Sequence, residues 1–275
     1  MQKELTFTKP SFITRIKGML GVDFYRLFHT PLFYIFLAIA AIIPAMILGT
    51  MGIENPQTGA IANQLYTNTW NLIASDSPIY VISHVGEYAN MNMVFIFGGI
   101  MVSIFIGHDY GSGYAKQLFT THAKKQDYMI SKTLTCAFAM ACMCVTYLFG
   151  TIAGGIFSQT DMTVNVGSLL LAILGKMIMS LGWASLYTFL NIIFRRYFGI
   201  SIASSFFFGT GILIIGFAGI LKNSPILNMF LYGSSVYACL SATPLTLLVC
   251  IVNSVVWTIV YNVLGSFILY RTDVY

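Results

Sequence analysis

Six apolar stretches, at residues 32–51, 90–107, 133–157, 168–194, 199–221 and 245–270, decide what this chain can fold into. A hydrocarbon core of about 30 Å takes about twenty residues of helix, and each stretch meets or approaches that length. A backbone in hydrocarbon has no water to bond, so such runs are expected as helices, with a kink at Pro44 in the first. The fold class expected is all-α integral membrane, with residues 1–275 as one domain. Composition agrees: 57% of the residues are hydrophobic, 8% are charged and the mean hydropathy is +0.79, outside the soluble globular range.

The basic residues set the orientation. Lys3, Lys9, Arg15, Lys17 and Arg26 precede the first span, and Lys116, Lys124, Lys125 and Lys132 fall between the second and third. Arg195 and Arg196 separate the fourth and fifth, and Arg271 follows the sixth. Of fourteen Lys and Arg, all but Lys176 and Lys222 thus share one side, which places both termini in the cytoplasm. The net charge of +5 is divided among loops and forms no continuous stripe, so nucleic acid is not an expected partner. The first ten residues are polar and lead into no short apolar region with a cleavage site, so no cleaved signal peptide is expected.

The segments between spans have distinct textures. Residues 11–30 place Ile13, Ile16, Leu20, Phe24 and Leu27 at helical spacings, interrupted by Arg15, Lys17, Asp23 and Arg26. That pattern predicts an amphipathic helix along the inner surface. Residues 109–132, DYGSGYAKQLFTTHAKKQDYMISK, predict a polar loop holding a short glycine-flanked helix. Outside, residues 52–89 contain a stretch able to form a surface helix. Residues 222–244 are too apolar for a solvated loop and too broken by Pro225, Gly233 and Pro244 to cross, so a re-entrant segment packed on protein is expected.

Catalytic motifs are missing from the sequence. No Gly-x-Ser-x-Gly, His-Glu-x-x-His or Walker A pattern occurs, and His29, His84, His108 and His122 are scattered, so no enzyme active site and no bound cofactor or metal is expected. The five cysteines follow neither disulfide nor metal spacing and read as small hydrophobes. Lys176 is the one formal charge expected well inside a span; it either reaches the outer headgroups or borders a path for cargo. Asn191, Asn253, Ser254 and Asn262 also fall within spans, where they either line such a path or bond between helices. The pairs Gly150-x-x-x-Gly154 and Ser180-x-x-x-Ala184 predict close helix approach.

The order of these parts resembles ABC-2 type transporter permeases. The resemblance rests on VDFYRLFHTPLFY leading into span one, on the 109–132 loop, on six spans with both ends inside, and on the interrupted segment before span six. This chain departs where many members have Glu and Gly-Thr, having Asp109 and Gly113-Tyr114 instead. What the resemblance implies is a six-helix, type V exporter-like architecture with residues 11–30 as its elbow helix and the loop as its coupling helix. It also implies two permeases, identical or paralogous, with two copies of a cytoplasmic ATPase that binds the ATP and Mg. The coupling contact would fall on Lys116, Leu118, Phe119, Thr120, Thr121, His122, Lys124, Lys125 and Asp127, with Phe119 entering a socket and Lys124 and Lys125 facing an acidic rim. Among family branches the size and loop look most like those exporting amphipathic peptides or giving immunity to lantibiotic and bacitracin-like antibiotics, in a bacterial cell membrane. Polysaccharide, lipid or small-drug export is the alternative cargo. From other classes, an ion-coupled secondary transporter is opposed by the lack of a clear repeat and of deep carboxylates, and a non-transporting scaffold is the further alternative.

Overall fold

A computed structural model describes residues 11–51, 93–120, 123–157, 166–195, 197–209, 229–240 and 243–271. Among them every regular element is helical: α1 (Phe12–His29), α2 (Pro31–Met51), α3 (Met93–Gly111), α4 (Tyr114–Thr120), α5 (Lys125–Phe157), α6 (Val166–Ile193), α7 (Phe198–Gly209), α8 (Leu231–Leu240) and α9 (Pro244–Arg271). By length and composition α3, α5, α6 and α9 can each cross a membrane, and the pair α1 and α2, bent by 64°, passes the same test jointly. The protein is therefore a helical membrane protein.

The bend between α1 and α2 is written locally. Ser11 caps α1 by accepting from the Thr14 amide at 3.3 Å, and Thr30 leaves the helical region at its far end. Pro31 then opens α2, where a missing N–H is no loss. Pro44 lies inside α2 without ending it.

α6 stands at the centre, against α9, α5, α3 and α8, while α2 lies along α5 and α7 along α3. Backbones come close where side chains are small. A Cβ on Gly150 would run into the Ala41 carbonyl oxygen, so α5 meets α2 as the small-residue pair predicts. Ser254 of α9 inserts its hydroxyl into α6, donating to the Ile178 carbonyl at 2.7 Å and accepting from the Gly182 amide at 3.1 Å. The main core stacks Phe95, Trp183 and Tyr187, with ring centroids 5.4 and 5.5 Å apart.

α9 has the inside-out character that lipid imposes. It turns Thr246, Cys250, Ser254, Gly265 and Ser266 inward and leaves Leu245, Leu248, Ile259 and Val263 more than half exposed. α8 belongs to the segment expected to pack on protein. Trp183 donates its indole N–H to Ser235 at 2.7 Å, Asn253 donates to Ser234 at 2.5 Å, and the Trp257 indole reaches the Met229 carbonyl at 2.8 Å.

Several boundaries differ from the sequence reading. α3 runs to Gly111 and α5 begins at Lys125, so residues 109–132 hold the end of one span, α4 and the first two turns of the next. Asp109, Asp127 and Lys132, in the added turns, are buried and ion-paired, which lets those turns pack inside the protein. α1 also turns its predicted stripe toward protein: Leu27 is buried and Phe24 meets the α5 residue Phe138 edge-on at 5.2 Å. Ile13 stays 64% exposed. The expected helix in residues 52–89 and the latter half of the fifth stretch lie outside the described residues.

Candidate functional site

Where α3 ends and α5 begins, a cluster of charges is shut inside the protein. Lys132 of α5 and Asp109 of α3 are 0% exposed and Asp23 of α1 is 2% exposed. The Lys132 ammonium lies 2.6 Å from Asp23 Oδ1 and 2.6 Å from Asp109 Oδ2. Arg26, one turn beyond Asp23 on α1, places Nη2 2.5 Å from Asp109 Oδ1, an ion pair without the alignment of a good hydrogen bond. Two carboxylates thus balance two cations. An isolated buried charge would cost several kcal/mol, and this pairing offsets much of that cost.

The remaining valences are filled by polar and aromatic groups. Ser131 donates to Asp23 Oδ2 at 2.6 Å and the Tyr128 hydroxyl donates to Asp109 Oδ2 at 3.1 Å. Three rings wall the cations: Lys132 lies 4.9 Å from the Phe105 centroid, 5.4 Å from Tyr128 and 5.5 Å from Tyr114, and Arg26 lies 4.2 Å from Tyr114. Burial, and then the Asp23 carboxylate, push the Tyr114 phenol above its ordinary range, against the pull of Lys132 and Arg26. For Arg26, burial opposes the charge, but Asp109 outweighs it and the guanidinium is held above its ordinary value.

α4 sits against this cluster. Its start depends on Gly113, whose φ of +75° is a left-handed turn that suits glycine. Tyr114 reaches the cations, Ala115 is buried, and Phe119 meets Tyr128 edge-on at 5.3 Å. A continuous chain of contacts therefore runs from Phe119 through Tyr128 to Asp109 and Lys132. Lys116, Gln117 and Thr120 lie exposed on the outer side, with Lys124 following.

Of the residues singled out in this loop, Lys116, Thr120 and Lys124 are exposed, while Leu118 and Phe119 are partly buried beside Tyr128 and Met129. Lys125 donates to the Leu269 carbonyl at 2.5 Å, and buried Asp127 binds Arg15 of α1 at 2.7 Å, so both hold neighbouring helices together. Thr121 and His122 lie outside the described residues. Of the four polar positions inside spans, the three asparagines are interhelical ties. Asn191 donates to Ser103 at 3.1 Å and accepts from Ser201, joining α6, α3 and α7. Asn253 ties α9 to α8, and Asn262 accepts from Thr133 of α5 at 3.2 Å. Lys176, on α6, is partly buried.

Besides Lys176, Asp109 near the end of α3 and Lys132 two turns into α5 carry formal charge in helices that can cross. The sequence contains a signal for this cluster in Asp23. It occupies the apolar stripe of α1, seven residues after Ile16 and four before Leu27, where a charge needs a buried partner. Compared with known proteins, the chain matches no protein-family model, no curated protein and no solved structure.

Proposed function

We propose that the chain is the permease subunit of an ATP-driven exporter of ABC-2, type V exporter-like architecture, with six spans and both termini in the cytoplasm of a bacterial cell membrane. What supports the reading above all is α4. It is a two-turn helix between two helices long enough to cross a membrane, with Lys116, Gln117 and Thr120 exposed on it, Lys124 exposed beyond its end, and Phe119 tied through Tyr128 to the buried ions. Such a helix can take a push on one side and pass it to three helix ends on the other. The partner receiving Lys116 and Lys124 is an ATPase with an acidic rim, present in two copies and carrying the ATP and Mg. A second permease, identical or paralogous, completes the path, and Lys176 borders it. The nearly charge-free spans suit an amphipathic peptide cargo, in export or in self-immunity.

In this reading Phe119 stiffens α4 from within, because its ring is already engaged by Tyr128. Affinity purification of the full chain from its native membrane tests the proposal. A co-purifying protein with a Walker A motif is expected, and Lys116→Glu with Lys124→Glu should release it while the permease still inserts. Purification without any ATPase, or capture unchanged by the double reversal, would defeat the assignment. A Lys176→Met variant with parental transport would remove that residue from the path.

A further inference from the structure

α9 carries its outward apolar stripe to its last turn and finishes it with a cation. Val260, Leu264, Phe267 and Arg271 follow one another at helical spacing, and all four are exposed. Of the four helices that can each cross a membrane, α9 is the barest: 11% of its apolar stretch is buried, against 39–61% in the others. The Arg271 side chain leans back along the helix, and its guanidinium lies 4.1 Å from the Phe267 ring centroid. The charge is thus held one turn inside the helix end, over an apolar ring. Beside it, Lys125 of α5 donates to the Leu269 carbonyl at 2.5 Å and lies 5.8 Å from the ring of exposed Tyr270.

Among the described residues this positive corner has no carboxylate to meet. Their carboxylates are Asp23, Asp109 and Asp127, each buried in an ion pair of its own. A second copy of this chain laid on α9 would bring the same three, equally shut in. What a membrane supplies at the end of an apolar helix is lipid phosphate. We propose that Arg271 and Tyr270, with Lys125 beside them, hold the headgroup phosphate of an anionic phospholipid whose acyl chains lie along Phe267, Leu264 and Val260. The planar guanidinium matches two phosphate oxygens at once, and the Tyr270 phenol is a donor for a third. A choline or ethanolamine headgroup brings its own cation toward Lys125 and Arg271, so phosphatidylglycerol is favoured. The site needs neither an ATPase nor a given side of the membrane, and stands apart from the exporter reading.

Native mass spectrometry of the full chain in detergent, titrated with phosphatidylglycerol or phosphatidylcholine, tests the proposal. The parent should hold one phosphatidylglycerol about tenfold more tightly than phosphatidylcholine. Arg271→Ala should abolish that preference. Arg271→Lys keeps the charge but loses the planar fork, and should weaken phosphatidylglycerol binding about threefold. Phe267→Leu keeps an apolar contact but removes the ring under the guanidinium, and should weaken it by about the same factor. Inorganic phosphate in excess should not displace the lipid, because it has no chains to lie on Phe267 and Leu264. Parent affinity in both charge-conserving variants would mean only general attraction to a basic surface and would overturn the site. Equal retention of the two lipids by the parent would overturn it as well, and displacement by inorganic phosphate would replace it with a free-anion site.

Discussion

Asp109 and Asp127 are both buried carboxylates bound to a basic side chain, yet their surroundings give them different weights. Asp109 holds two cations and a tyrosine hydroxyl, and Lys132 has no exposure through which to reach water. Removing Asp109 takes a partner from fully buried Lys132 and Tyr128 as well as from Arg26, which at 22% exposure can turn outward, at a cost of about 3 kcal/mol. The Arg15 side chain is 25% exposed and can turn outward when Asp127 is lost, so that change should cost about 1 kcal/mol. Thermal unfolding in detergent should therefore rank Asp109→Ala far below Asp127→Ala, and equal midpoints would contradict the burial argument. Legibility at this scale was poor for a physical reason. Lys132 and Asp23 are 109 residues apart, and no local pattern states which distant charges will meet. What the chain does display is Asp23 in an apolar stripe, which says that a partner exists without saying which.

At the scale of elements the chain is more legible, because helix formation is local. The glycine-flanked short helix, the capped amphipathic α1 and the proline that opens α2 can all be read from a few residues. The ends cannot, since α3 and α5 extend through Asp109 and Lys132, whose charges meet across space where no local pattern shows it. α4 owes its placement to two features with separable effects. Gly113 has φ +75° with open space around a would-be Cβ, so Gly113→Ala should cost about 1 to 2 kcal/mol purely through the backbone. Phe119→Ala removes an aromatic contact worth about 0.5 to 1.5 kcal/mol beyond its buried area. Hydrogen exchange within α4 should rise in both variants, while the core of α6 stays at the parent rate. A rise spread evenly over the bundle would mean that α4 is not a separately anchored element.

For the whole molecule, solvent and the spacing of charge set the arrangement: small and polar residues face inward on α9 and aliphatic ones outward, while most basic residues of the sequence fall between alternate apolar stretches. The α2 and α5 seam tests the packing half of that statement. A side chain at Gly150 would meet the Ala41 carbonyl, which is backbone and cannot rotate aside, so Gly150→Val should force the helices apart and cost about 3 kcal/mol, read as a lowered unfolding midpoint in detergent. The charge half is tested by topology. Lys124 is exposed between α4 and α5, at the same end as the α9 terminus, because the neighbouring Lys125 binds the Leu269 carbonyl. If that end is cytoplasmic, as the distribution of Lys and Arg predicts, a thiol at Lys124→Cys should react with a membrane-impermeant maleimide in inverted vesicles and resist it in intact cells. Reaction in intact cells would put α4 outside, where no nucleotide is available to a partner. The exporter reading would then fall, while the helical membrane fold and the buried ion cluster would stand, since neither depends on which side the cluster faces.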